Sequence, residues 1–195
     1  MHWNPYYEAL FQMDENYEPQ PVLAESYEVS EDGKVYTIKL REGIKFHNGD
    51  EMTADDVVAS MNRWVELSPK ANTLIGGSVF EKVDDYTVKL TVNEPSSDII
   101  MVLASPIQFA AIYPASVIDS ATDDGIKEYI GTGPYKLVEW KQDQYVKIEK
   151  NEDYQPAEGE SSGLAGAKNG KAETITFNIV PDTATRIAGV RERTV

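Results

Sequence analysis

Residues 37–66, TIKLREGIKFHNGDEMTADDVVASMNRWVE, change hydrophobic period in the middle, and this change constrains the fold more than any other feature of the chain. Ile38, Leu40, Ile44 and Phe46 alternate as in a half-buried strand, and the polar turn HNGD then interrupts them. Thr53 sits where an N-cap belongs, Asp56 stands three residues on as a capping-box acid, and Asp55 adds a second acid in the positive first turn. From there Val57, Met61, Trp64 and Val65, with Val58 alongside, recur at helical spacing. The stripe ends near Leu67, before Ser68-Pro69 stops the helix. Such a stretch specifies a strand, a turn and an amphipathic helix that packs on the sheet through Trp64 and its neighbours.

The flanking sequence extends the same sheet. LAESYEV and VYTIKL, joined by SEDGK, predict a hairpin with one face turned to a core, and FEKVDDYTVKLTV predicts a second with Asp84-Asp85 at its tip. SDIIMVLASPIQF reads as a short buried helix ended by Pro106. GTGPYKLVEW and YVKIEK form a third hairpin around KQDQ, and ETITFNIV is a further strand. DTATRIAGV opens a helix capped by Asp182 or Thr183. Between the last two strands, PAEGESSGLAGAKNGKAE has the Gly, Ser and Ala content of a flexible surface loop. Antiparallel hairpins with intervening helices, and no βαβ repeat, give an α+β fold.

Composition excludes several functions. The chain has 195 residues, enough to bury a core without covalent staples as one large domain or a domain with a smaller partner. It contains no cysteine, which removes thiolate nucleophiles, cysteine zinc sites and iron–sulfur clusters but does not assign a compartment. A net charge of −15, from 18 basic and 33 acidic side chains, repels a phosphate backbone, so no nucleic acid partner is expected. No apolar stretch approaches the roughly 18–20 residues that span a bilayer, and MHWNPYYEALF lacks the sections of a signal peptide. The 11 tyrosines suit either walls for polar ligands or packing on sheets.

The segment PVLAESYEVSEDGKVYTIKLREGIKFHNGDEMTADDVVASMNRW resembles the signature region of the extracellular solute-binding proteins of family 5, which serve peptide and nickel ABC importers. YYEALF before it, and GTGPYKLVEW, NEDY and ITFNIVPDTATRIAGV after it, follow in family order. Tyr27 stands where the family often has Trp, and Gln155 follows Tyr154 where an aromatic is common. The resemblance implies a class II periplasmic-binding-protein-like architecture of two lobes closing over a ligand. Residues 1–20 and 131–195 would belong to lobe one, and 21–130 to a smaller domain inserted in it. The family chain crosses to the second lobe shortly after the ATR helix, so this sequence is expected to lack that lobe. The implied role is non-enzymatic: capture of an oligopeptide or similar polar solute for a membrane permease, outside the cell, in the periplasm or on a lipid anchor, with no cofactor.

The candidate chemistry is sparse. His47, Asn48 and Asp50 could be a metal or acid–base cluster, but no two-histidine spacing on a helix exists, so they read as a structural turn and no metal is expected. The carboxylates could supply a glycosidase-like pair only at a defined separation across a cleft. No nucleophile elbow or phosphate loop occurs, and Pro134 makes GTGPY a rigid turn entering a hairpin. No catalytic residue is therefore assigned. By the resemblance, Tyr7 in YYEALF, and Gln108 and Phe109 in SPIQFAAIYP, are candidate ligand-binding residues: aromatic rings give flat walls, and a glutamine amide donates and accepts. Core packing is the competing role for the two aromatics. A carboxylate-based secreted hydrolase and an adhesion module are the alternative functions.

Overall fold

The computed structural model describes residues 6–122 and 125–192. A short ribbon of β1 (Phe11–Met13) and β2 (Pro19–Pro21) leads into β3 (Ala24–Val29) and β4 (Val35–Leu40). With β5 (Val79–Asp84) and β6 (Thr87–Thr91) these make a four-stranded antiparallel sheet in the order β3-β4-β6-β5. The inner strands alternate as the sequence predicts. Tyr36, Ile38 and Leu40 of β4 are buried and continue, through the pairs Tyr36↔Leu90 and Ile38↔Val88, into the buried residues of β6. β3 departs from this pattern, because on an edge only Ala24 is buried, and Tyr27 and Val29 remain 42% and 44% exposed.

Helix α1 (Ala54–Leu67) packs on β5 and β6, burying Ala54, Val57, Ser60, Met61 and Val65. Val58 and Trp64 lie half-buried against the core, so Trp64 packs at the margin of the stripe and not at its centre. Its indole Nε1 donates to the Gln108 carbonyl at 2.6 Å, a polar tether that a wholly apolar position would not need. Thr53 is the N-cap. Asp56 Oδ2 accepts from Thr53 N at 2.8 Å, and its Oδ1 accepts from Ala115 N at 2.7 Å. One carboxylate thus joins the starts of α1 and of the later short helix at Ala115–Asp119. Ser68-Pro69 ends α1 and at once begins α2 (Pro69–Ile75): Ser68 Oγ accepts from Ala71 N at 3.2 Å, and Pro69 occupies the first turn, where an N–H is not required.

Helices α3 (Ile99–Leu103) and α4 (Ala115–Asp119) lead back to a three-stranded sheet, order β7-β8-β9, built from β7 (Tyr135–Lys141), β8 (Tyr145–Lys150) and β9 (Thr174–Asn178). The two sheets fall on either side of residue 130, but the cores are less separate. Leu10, Phe11 and Met13 belong to the core of the four-stranded sheet, whereas Tyr6 and Tyr7, a few residues earlier, pack with Tyr135, Val146 and Ile148 of the other. Helix α5 (Thr183–Glu192) follows, with Asp182 Oδ1 capping Thr185 N at 2.7 Å.

The segment between β8 and β9 lies largely at the surface, as its composition predicts, but it is docked at several points rather than free. Ala157 and Ala165 are buried against Val22, and Leu164 N donates to Met13 O at 2.8 Å. A Cβ on Gly163 would stand 2.5 Å from the carbonyl carbon of Asp14, so this glycine permits a close backbone approach. The Gly and Ser content serves packing against the N-terminal segment.

Candidate functional site

An aromatic cluster forms where the N-terminal segment, residues 109–113 and β7 meet. Tyr6 and Tyr7 are almost wholly buried, and their rings stand edge-on with centroids 4.7 Å apart. Tyr113 lies 4.7 Å from Tyr7, and half-buried Phe109 packs on the same cluster. Tyr129 and Trp140, 41% and 44% exposed, meet edge-to-face at 5.4 Å and present the outer surface. Tyr6, Tyr7, Tyr129, Leu137 and Trp140 line a small apolar hollow. Burial pushes the Tyr6 phenol up to about 12, and burial with the neighbouring Tyr113 pushes Tyr7 higher still. These groups stay neutral across the physiological range, so they contribute packed ring faces rather than proton transfer.

The wall is held from behind by residues 131–134. Gly133 N donates to Tyr6 O at 3.0 Å, and a Cβ on Gly131 would stand 2.3 Å from Tyr6 O and 2.8 Å from Tyr7 Cδ1, so glycine is required there by contact. Glu8 is buried directly beneath. Its Oε1 accepts from Tyr154 Oη at 2.9 Å and Lys168 Nζ at 3.2 Å, and its Oε2 accepts from the Thr132 hydroxyl at 3.1 Å. Lys168 Nζ also donates to Gln12 Oε1 at 2.6 Å. His47 closes the other side of the 131–134 segment, with each ring nitrogen against a backbone group.

The residues singled out from sequence fall in one region with different surroundings. Tyr7 is inside the cluster, and Phe109 is at its half-buried margin. Gln108 is exposed, at φ 56°, with its Oε1 accepting from the Ser68 hydroxyl at 2.6 Å and from Lys70 N at 3.0 Å. Its side-chain oxygen therefore caps the start of α2. Tyr6, Tyr113, Tyr129 and Trp140 complete the wall beyond the sequence candidates. Tyr113 lies within SPIQFAAIYP and Trp140 ends GTGPYKLVEW, so aromatic spacing in those two segments is the signal for them. Among the described residues no group of three or more His, Cys, Asp or Glu is placed to hold a metal ion.

A larger cavity of about 640 Å³ lies elsewhere, between β2–β4 and residues 157–166, and shares no lining residue with the aromatic hollow. Its floor is Val22, Ala157 and Ala165. Its two basic groups are engaged: Lys39 pairs with Glu25 at 2.7 Å, and Arg41 donates to the carbonyls of Val22 at 3.1 Å and Pro156 at 2.8 Å. It is a groove between docked chain segments, without the aromatic surface that marks the other position.

Known proteins resemble the chain along almost all of its length. Glutathione-binding protein GsiB of Escherichia coli strain K12 is 39% identical over 190 residues, covering 94% of this chain and 34% of GsiB. NikA from Brucella suis, solved with Fe(III)-EDTA, superposes with a TM-score of 0.83 at 31% identity, over 98% of this chain and 37% of NikA. AppA from Bacillus subtilis, solved with a nonapeptide, gives a TM-score of 0.74 at 29% identity, over 98% and 37%. The chain thus spans little more than a third of the length of these relatives, in a fold they share. The family model for bacterial extracellular solute-binding proteins, family 5, matches residues 18–195, and the chain belongs to that family.

Proposed function

We propose that this chain forms part of the substrate-binding component of an ABC importer, which captures an oligopeptide or a similar polar solute and passes it to a membrane permease. The observation that carries the reading is the neutral aromatic wall, buried Tyr6 and Tyr7 behind exposed Tyr129 and Trp140, in a chain of this family. Half-buried Phe109 supplies ring surface to the solute, Tyr7 backs the wall from inside the cluster, and Gln108, its oxygen committed to α2, offers its amide NH₂. Relatives are named for binding glutathione and solved with a peptide, and an amide-rich, uncharged-to-zwitterionic solute suits a wall without acid or base. In this reading β7–β9 with Tyr6 and Tyr7 belong to one lobe and β3–β6 with α1 to the smaller inserted domain, whose core also takes Leu10, Phe11 and Met13. Closure against a second lobe supplies the remaining contacts and favours the bound state. The protein works outside the cytoplasmic membrane, held near its permease by a lipid anchor or in the periplasm. The solute-binding relatives favour this reading over the hydrolase and adhesion alternatives.

These 195 residues alone should bind weakly, because one wall leaves the other face of the solute wet. Each tenfold in affinity is only about 1.4 kcal/mol, so losing a few hydrogen bonds and one apolar face takes micromolar binding beyond about 1 mM. NMR shift mapping with glutathione and short peptides at millimolar concentration tests the site, and the expected responses are at Phe109, Tyr129 and Trp140. Shifts confined to the 640 Å³ groove would reject this wall. Micromolar affinity by calorimetry would show that the cleft is complete within these residues.

A further inference from the structure

His47 lies in the connection between β4 and α1, yet its contacts are with the segment that enters β7. Gly131 N–H donates to its Nδ1 at 3.1 Å, so Nδ1 carries a lone pair. Its Nε2 is 3.0 Å from the Gly133 carbonyl oxygen, which can only accept, so Nε2 carries the hydrogen. The backbone adds a third bond, His47 N to Gly131 O at 2.9 Å. One tautomer of the neutral ring satisfies both side-chain contacts, and no cationic form does, because a second ring proton on Nδ1 would face the Gly131 N–H.

We propose that His47 is an acid-released latch, holding the 131–134 segment against the β4–α1 connection while neutral and letting go when protonated. The groups around the ring favour the neutral form. Tyr6 stacks edge-on at 4.7 Å, and Lys136, itself paired with Glu149 at 3.3 Å, is the charged neighbour acting on it. The Glu8 carboxylate reaches the same segment, through Thr132, but it is engaged by Lys168 and Tyr154. Burial lowers the His47 pKa from 6.5 to about 4, Lys136 adds to the lowering, and the Gly133 bond opposes it. The sign follows from linkage. The released ring binds a proton more readily than the latched ring, so the contact is at full strength above about pH 6.5 and is lost as pH falls toward about 4. Tyr6 rests on the ring and on Gly133, so release frees the back of the aromatic wall. The latch stands on its own hydrogen bonds and does not depend on what the wall binds.

The test is NMR on the intact chain. Ring ¹⁵N shifts at pH 7 should report the Nε2–H tautomer, and His47 should titrate near pH 4. The protection factor of the Gly131 amide should fall about tenfold or more between pH 6.5 and 4. In His47→Gln, which keeps an acceptor and a donor but no titrating group, protection should stay level across that window. A titration midpoint near 6.5, an Nδ1–H tautomer, or an equal loss of protection in both proteins would overturn the proposal. If His47→Gln fails to fold, the wild-type tautomer and midpoint decide it.

Discussion

Lys168→Ala is expected to be among the most damaging single substitutions outside the apolar core. Lys168 lies in the Gly-rich segment whose composition suggests flexibility, yet its side chain is only 16% exposed and meets a Glu8 side chain that is 2% exposed. Truncation removes the 3.2 Å ion pair with Glu8 and the 2.6 Å bond to Gln12 Oε1. Glu8 would keep two hydroxyl donors, Tyr154 and Thr132, but no counter-charge. Tyr154 cannot take over, since burial and the adjacent Glu8 push its phenol pKa far up and it remains a neutral donor. Gln12, whose Nε2 is already buried without a partner, would have neither end of its amide bonded. Stranding one charge of a buried pair costs about 3–5 kcal/mol, a large fraction of the ~5–15 kcal/mol that keeps a domain folded. For a chain of this size the loss corresponds to a Tm about 6–20 °C lower. Urea denaturation gives the free energy, and limited proteolysis should show new cleavage within residues 157–172. Glu8→Gln in the Lys168→Met background should recover most of the loss, because the stranded charge is then gone. If Lys168→Ala stays within about 0.5 kcal/mol of wild type and the segment stays protease-resistant, the pair is a solvated surface contact and the reasoning fails.

Two further substitutions probe α1 by the same urea measurement. Thr53→Ala should cost about 0.5–2 kcal/mol as a lost cap, whereas Asp56→Ala, which removes the acceptor of both Thr53 N and Ala115 N, should cost about 2–3 kcal/mol; the reverse order would refute the bridging role of Asp56. Trp64→Ala should cost about 2–3 kcal/mol, below the 3–5 of a fully buried tryptophan, and Trp64→Phe about 1 kcal/mol for the indole bond to Gln108; no measurable effect from either would mean that the half-buried ring contributes nothing.

What could be read from the sequence was local. The α1 cap and the three hairpins follow from turn chemistry and periodicity within about ten residues, and the structure has them where those rules put them, whereas α3 stops at Leu103, short of the Pro106 that the sequence offers as its end. Ser68-Pro69 was half legible: a proline that ends one helix is equally suited to begin the next, and which follows depends on whether residues 71 and 75 find a core. Composition shows that the segment between β8 and β9 is a surface loop but not that it is docked, because glycine's two uses, freedom and close approach, look alike there, and only the position of the Asp14 backbone separates them. Gln108 shows the same limit at the site. Its segment was recognised, but the direction of its oxygen is set by Ser68 and Lys70, some forty residues earlier.

The run at residues 6–13, YYEALFQM, ties these observations together. Every one of its side chains is buried, including Glu8 and Gln12, so neither a strand nor a helix period could have identified it. Its first two residues serve one core and Leu10, Phe11 and Met13 the other, so the run ties the two cores together as well as forming the back of the aromatic wall. A buried glutamate in such a position is tolerable only if a cation arrives, and the cation comes from 160 positions along the chain. The Gly-rich segment that delivers it must therefore lie flat against the run, and Gly163 and the buried alanines at 157 and 165 allow this. Wall geometry and global stability thus share the same residues. A substitution that loosens Glu8 should displace Tyr6 and Tyr7 as well as lower Tm, whereas changes at the more exposed Tyr129 or Trp140 should alter contact with a solute and lower Tm by less.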